Sequence, residues 1–439
     1  MKLFLLTPGT GSYHCGVCMR DNALAKELHR MGHDAVMLPM YLPLTLDEAA
    51  ASPEAPIFFG GINVYLQQKF AFFRHTPRWL DSVFNSRWLL KKVAGSSASQ
   101  TGGPDVGELT HSMLLGEEGK QGKELDQLID WMQEHGKPDA VWLSTALLVG
   151  LARRIKNELG IPVIGSLQGE DSFLDSLAEP WRTQCWETLA ERSRDVSVFV
   201  APSRYYADLM GKRMRLRPEQ LRVIPNGIAL DDFEPPAAPP QRPAIGYLAR
   251  MTAGKGLGMV VDAFVLLKKR GHFPDVKLLV AGAMTSGDAL YVDSLKEKLS
   301  AAGCADQVEF HPNVSREEKT AFLKRLTLLS VPASYGEAFG LYIAEAWAAG
   351  VPVVQPRCAA FPEMVEATGA GRLFEPANTE ALVAEWEKLL GNPMDAYALG
   401  RLGRTAAERD YSISGMAAQF VSLTEEATTG VLARAAASS

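Results

Sequence analysis

Residues 244–256, Ala244-Ile245-Gly246-Tyr247-Leu248-Ala249-Arg250-Met251-Thr252-Ala253-Gly254-Lys255-Gly256, carry an uncharged apolar run into a glycine-bearing loop. The run reads as a buried strand, and Leu257–Lys269, with its helical period, reads as the helix that follows. Between them lie Arg250 and Lys255, five positions apart, in a loop that the glycines at 254 and 256 allow to turn tightly. A guanidinium and an ammonium so placed can converge on one diphosphate at the carboxyl edge of a parallel sheet; the plainer reading is a solvated basic loop. Gly254-Lys255 is followed by neither Ser nor Thr, which excludes a Walker loop and with it an ATPase of that type.

Working outward, the same alternation continues on both sides. Downstream, Lys277–Ala281, Val308–Phe310, Leu328–Pro332 and Pro352–Gln355 read as strands, with helices at Ala289–Ala301 and after the capping box Ser315-Arg316-Glu317-Glu318. Upstream, Leu3–Leu6, Ala35–Pro39, Ala140–Leu143, Val163–Ser166 and Val198–Ala201 read as strands, with helices such as Asn22–Met31 and Leu147–Leu159 between them. Strands alternating with helical segments give an α/β protein with parallel sheets. Five prolines between Pro235 and Pro243 can continue neither a helix nor a central strand, so a linker and the domain boundary are expected there. The expected domains are 1–235 and 236–411, two Rossmann-like halves facing a central cleft. From 412 to 439 runs an amphipathic helix, carrying Ile413, Met416, Phe420 and Leu423, and then a tail; the helix is free to cross back to the first domain.

With 439 residues, 47% of them hydrophobic and 22% charged, the chain has the composition of a folded protein of two or three domains. The formal charge is -6, so nucleic acid is not an expected partner. Five sparse cysteines read as reduced thiols in a cytoplasm. Leu3–Leu6 is too short for the core of a signal peptide, and no run reaches the length of a membrane span.

Two further stretches bear chemistry. In Tyr335-Gly336-Glu337-Ala338-Phe339-Gly340-Leu341, Glu337 sits in a glycine-flanked loop where a helix begins, and Glu345 follows inside an otherwise apolar segment. A carboxylate on a buried helix needs partners: two vicinal ribose hydroxyls would serve, and so would a Lys or Arg of the core. Near the N-terminus, Gly9-Thr10-Gly11-Ser12-Tyr13-His14-Cys15-Gly16 follows the first strand, either as a ligand-approaching loop or as a bare turn. A dinucleotide enzyme would want an acidic residue at the end of the second strand, and Ala35-Val36-Met37-Leu38-Pro39-Met40 has none.

Together these segments resemble the retaining family 4 glycosyltransferases of the GT-B fold, over nearly the whole chain. The resemblance rests on Arg250 and Lys255, followed about 80 residues later by Glu337 and Glu345 with seven residues between them. Supporting matches are Ile224-Pro225-Asn226-Gly227-Ile228, Gly350-Val351-Pro352-Val353-Val354, Pro362-Glu363-Met364-Val365 and Gly371-Arg372-Leu373-Phe374. It implies transfer of a sugar from a UDP-, GDP- or ADP-sugar to an acceptor hydroxyl, with retention, and with no cofactor or metal. Arg250 and Lys255 would neutralise the leaving diphosphate, and Gly340 with Ala338, Phe339 and Leu341 would offer it backbone contacts. Glu337 would bind the transferred sugar and Glu345 the ribose, while Gly11 and Gly16 keep the first loop close to both substrates. In the usual proposal the departing phosphate takes the acceptor's proton. Catalysis would thus rest on Arg250, Lys255 and Glu337.

One position departs from the pattern. After Val163–Ser166 the family commonly places a histidine, and here Gln168 stands there, able to hydrogen-bond a sugar but not to carry a proton. Glu170 and Asp171 would contact the acceptor or form the solvated cap of the next helix; His14 could face the acceptor. Cys15 and Cys18 suggest zinc or redox chemistry, but no second ligand pair accompanies them, and small-residue packing is the default. Lys69–Lys92 carries a net +5 among aromatic residues, which suits either an anionic membrane surface, with a lipid acceptor, or an insertion packed on the first domain, the reading favoured here. Gly95–Gly107 reads as mobile. The acceptor is a carbohydrate, a lipid or a small molecule. The rival functions are a nucleotide-sugar epimerase of the same architecture, which would need clustered acid and base groups, and an inactive nucleotide-sugar-binding protein.

Overall fold

The computed structural model describes residues 1–9, 15–76, 90 and 104–430. The apolar runs of the first part form β1 (Lys2–Pro8), β2 (Asp34–Met40), β3 (Ala140–Leu143), β4 (Val163–Ser166), β5 (Val198–Ala201) and β6 (Leu221–Val223), all parallel, in the order β2-β1-β3-β4-β5-β6. The second part repeats the plan with β7 (Ala244–Leu248), β8 (Lys277–Gly282), β9 (Val308–Pro312), β10 (Leu328–Leu329), β11 (Val353–Pro356) and β12 (Gly371–Phe374), ordered β12-β11-β10-β7-β8-β9. Strands covered by helices on both faces are apolar throughout rather than alternating, which is why these runs stood out in the sequence. This is the two-domain α/β GT-B fold.

The chain divides into two compact units, Met1–Pro225 with Met416–Ser439, and Asn226–Gly415. The division falls before the proline-rich stretch rather than within it, and the physical reason is local. Ile228 and Phe233 are buried in the core of the second unit, Arg404 donates to the carbonyls of Phe233 and Ala348 at 2.8 and 2.7 Å, and the Tyr397 hydroxyl donates to that of Ala237 at 3.0 Å. The prolines are therefore laid along the second unit. The last helix, Ile413–Thr428, belongs mainly to the first unit: Phe420 stacks on Trp142 of β3 with centroids 3.9 Å apart, and the Trp142 indole donates to Thr424 Oγ1 at 3.1 Å.

Two elements differ from expectation in ways that bear on function. The first helix runs Gly16–Arg30, beginning six residues before Asn22, so Cys15-Gly16-Val17-Cys18 is a helix start. The helix expected at Leu147–Leu159 is a 3-10 turn, Ala146–Leu151, followed by the helix Ala152–Leu159, with the Thr145 hydroxyl accepting from the Leu147 amide.

In each sheet the strand order reverses once, between β1 and β3 in the first and between β7 and β10 in the second. Chains leaving the carboxyl ends of such a pair turn in opposite directions and leave a crevice between them, the usual ligand position of open α/β sheets.

Candidate active site

The crevice of the second unit is walled by the loop after β7 and the loop after β10. Hydrogen bonds hold the two loops together: the Ser334 amide and hydroxyl donate to the Gly254 carbonyl at 2.9 and 3.2 Å; within the first loop the Tyr247 hydroxyl donates to the Arg250 carbonyl at 2.9 Å. Gly256 ends the first loop at φ 79°, and a Cβ there would stand 2.0 Å from the Pro332 carbonyl oxygen, so only glycine lets the loops approach this closely. Gly340 ends the second at φ 90° and starts the helix Leu341–Ala348.

Of the residues singled out in this part of the sequence, the structure pairs Lys255 with Glu337, and it gives Arg250 and Glu345 other partners. Lys255 Nζ lies 2.5 Å from Glu337 Oε2, and Tyr342 donates its hydroxyl to the same oxygen at 3.2 Å. The ammonium also lies 4.9 Å from the centre of the Tyr335 ring, a cation–π distance. Burial works against the charge on Lys255, but Glu337 and Tyr335 outweigh it and hold its pKa above the ordinary lysine range. Arg250 is held by Asp288, with Nη2 to Oδ2 3.3 Å. Asp288 closes a capping box with Thr285 after β8; burial opposes its ionisation, yet the Thr285 hydroxyl and amide and the Arg250 guanidinium keep its pKa below the usual carboxylate value. Glu345 projects from the helix Leu341–Ala348 to Lys319, 2.7 Å away, so its carboxylate is paired with a core cation. The side chains of Ala338 and Phe339 are buried, the latter 5.8 Å from the Tyr411 ring.

Asp288 and Lys319 were not anticipated. Thr285-Ser286-Gly287-Asp288 has the spacing of a capping box and would have drawn attention to Asp288; Lys319 directly follows the box that was recognised, yet nothing local connects it to Glu345.

In the first unit Gly16 is the first residue of its helix, while Gly11 and His14 lie outside the described residues. Glu170 is neither solvated nor open to a ligand. It is 3% exposed, and its two oxygens accept from the Thr145 hydroxyl (2.7 Å), the Ala146, Gln168 and Gly169 amides (2.9, 2.8 and 3.1 Å) and the Tyr206 hydroxyl (3.0 Å). It ties together the chain ends leaving β3 and β4. Asp171 shares the Tyr206 hydroxyl at 2.9 Å, and burial raises its pKa despite that bond. Gln168 is half-buried beside them. Of the basic aromatic stretch, 77–89 and 91–92 lie outside the described residues, as do 95–103 of the glycine- and serine-rich stretch. Among the described residues no group of three or more His, Cys, Asp or Glu is placed to hold a metal ion, and no helix is long and apolar enough to cross a membrane.

The description "Glycosyltransferase Family 4" matches residues 114–232 and "Glycosyl transferases group 1" residues 230–406, so that the second model spans the whole crevice just described. The chain belongs to the family 4 glycosyltransferases. The MMP alpha-(1->4)-mannosyltransferase of Mycolicibacterium hassiacum is 33% identical over 219 residues, 49% of this family 4 chain and 51% of the relative. A D-inositol 3-phosphate glycosyltransferase of an Arthrobacter species is 26% identical over 344 residues, 69% of this chain and 76% of the relative. This chain thus spans about half the length of the mannosyltransferase, and only 36% of a Mycobacterium D-inositol 3-phosphate glycosyltransferase. Two solved structures share the fold over 97% of this chain: sucrose-phosphate synthase from Thermosynechococcus elongatus, with TM-score 0.70, 17% identity and 98% of its own chain covered, and Anabaena HepE in complex with UDP and glucose, with 0.67, 15% and 99%.

Proposed function

We propose that this family 4 chain transfers a sugar from a UDP-, GDP- or ADP-sugar to an acceptor hydroxyl, with retention at the anomeric carbon and without a metal ion. The observation that carries the reading is the pairing of Lys255 with Glu337 across the two loops that flank the β7/β10 crevice, with Arg250 on the same loop as Lys255. Negative charge grows on the leaving diphosphate in the transition state, and fixed cations beside it lower the barrier more than uniform binding contacts would. Lys255, kept protonated by Glu337, and Arg250, oriented by Asp288, supply that charge, and the amides after Gly340 add to it. Glu337 then meets hydroxyls of the transferred sugar and Glu345 those of the ribose. With Glu170 sealed in its own hydrogen bonds and Gln168 unable to carry a proton, the departing phosphate oxygen takes the acceptor's proton on the same face.

The mannosyltransferase and inositol phosphate transferase relatives support a polar carbohydrate or small-molecule acceptor; the exposed rings of Phe70 and Phe72 support contact with a membrane surface from a cytoplasmic protein, and with it a lipid acceptor.

Thermal unfolding with UDP, GDP, ADP, CDP and TDP, each in EDTA and in magnesium, tests the reading. A ligand at roughly 100 times its Kd adds about 2.7 kcal/mol to the native state. Stabilisation by one diphosphate in EDTA is expected and names the base; stabilisation only with magnesium overturns the metal-free reading. No shift with any of them, nor with intact nucleotide sugars, overturns the donor site. NMR of the product's anomeric proton then reads retention directly.

A further inference from the structure

The function proposed above makes no use of Cys15 and Cys18. Cys15 precedes the first helix with extended backbone (φ −107°, ψ 127°) and is half-buried; Cys18 lies in the first turn, fully buried. Residues three apart across a helix start share a face, which puts the two thiols in reach of each other. The Cys18 thiol lies 3.1 Å from the Pro8 carbonyl, where β1 ends, and its one proton can turn instead to the Cys15 sulfur. We propose that Cys15 and Cys18 form a reactive dithiol that a small-molecule disulfide converts to an intrachain disulfide, with Cys15 attacking and Cys18 resolving.

The remaining thiols are placed differently. Cys185 and Cys304 are buried and Cys358 is half-buried; burial pushes Cys185 up to about 12 and raises Cys358 as well. At Cys15 the hydrogen bond from Cys18 outweighs burial, and the amides of Cys18 and Val17 add to it, drawing the thiol down to about 6. Reactivity follows the thiolate, so Cys15 reacts first at neutral pH. Its thiolate attacks one sulfur of R–S–S–R, forming a mixed disulfide and releasing one thiolate, which takes a proton from solvent. Before that step, the charge on Cys15 is among the causes holding the Cys18 proton in place. The mixed disulfide removes this charge, so Cys18 then loses its proton and attacks the Cys15 sulfur, expelling the second thiolate. Two electrons pass from the protein dithiol to the small disulfide, which leaves as two thiols. The closed ring needs the two Cβ atoms about 3.5–4.5 Å apart, and it removes the Cys18–Pro8 hydrogen bond at the end of β1.

The test treats the reduced full-length chain with oxidised glutathione at pH 7, quenches in acid, and reads intact mass and peptide maps. The expected result is a loss of about 2 Da with three of the five thiols left and Cys15 joined to Cys18. Cys18→Ser should stop at a glutathione adduct on Cys15, and Cys15→Ser should leave Cys18 unmodified over the same time. Iodoacetamide alkylation of Cys15 in the unmutated chain should rise with a midpoint near pH 6, and serves even where a variant folds poorly. Retention of all five thiols, adducts falling first on Cys358, or a Cys15 midpoint in the ordinary thiol range would each overturn the proposal.

Discussion

Arg250 and Lys255 illustrate what a residue can and cannot do without its neighbours. Their charge is intrinsic, but Arg250 is aimed by Asp288 and Lys255 is kept charged by Glu337. Under the proposed function, Arg250→Ala or Lys255→Ala lowers kcat by roughly 100–1,000-fold with the fold intact, and a loss below tenfold in steady-state assays refutes that role. Asp288→Asn should cost less than Arg250→Ala and act through the same guanidinium, so the double variant should be no worse than Arg250→Ala alone. Glu170 gives the opposite pattern. Its removal leaves buried amides and hydroxyls without acceptors, so Glu170→Ala should cost about 3 kcal/mol or more in urea unfolding. Unchanged stability with a lost kcat would instead make Glu170 a substrate contact.

At the scale of elements, the loops after β7 and β10 are joined through a glycine. Gly256→Ala meets both an unfavourable φ of 79° and the Pro332 carbonyl 2.0 Å away, so it should destabilise by about 1–3 kcal/mol and weaken nucleotide binding together, measured by unfolding and calorimetry on the same sample. Strand β9 is tied to its surroundings through charge: Glu309 accepts from Lys277 of β8 at 2.9 Å and from Arg325 at 2.7 Å, and those bonds draw its pKa to about 2. A folded-state pKa below the unfolded value contributes stability above the unfolded pKa, and that contribution fades as pH falls toward the folded one. Glu309→Gln should therefore lower the urea midpoint at pH 7 and converge on the parent as pH drops from about 4.3 toward 2. A deficit that stays constant over that range contradicts the assignment. The proline-rich stretch carries a related lesson: prolines forbid helix and inner strand but do not make a free linker when hydrogen bonds from Arg404 and Tyr397 hold the chain down.

At the scale of the whole molecule, two sheets of the same plan arise from two stretches of sequence, and the last helix returns to the first of them. Phe420 and Trp142 carry that return, so Phe420→Ala should cost about 3–5 kcal/mol, read by calorimetry as earlier unfolding of the first unit. Stabilisation of the second unit by a nucleoside diphosphate should survive the change. Loss of both would show that the units unfold as one. Ten of the twelve strands were legible as apolar runs; β6 and β12 are short and only partly buried, and lack that signal. Periodicity likewise announced the last helix but not its partner.

What the sequence determined by itself is the alternation of strand and helix, the placement of Arg250, Lys255, Glu337 and Gly340 at strand ends and helix starts, and that of Glu345 within an apolar segment. These follow from local rules: side-chain apolarity and period, glycine's access to positive φ, and the free amides of a helix start. What only the tertiary structure decided is which of these groups meet. Lys255 and Glu337, and Lys319 and Glu345, face each other because β10 pairs with β7 across the reversal in strand order. Glu170 is sealed because the ends of β3 and β4 and the helix bearing Tyr206 converge on it. Pairing of that kind depends on sheet order, and sheet order is settled by long-range burial of whole strands, which no short stretch of sequence contains.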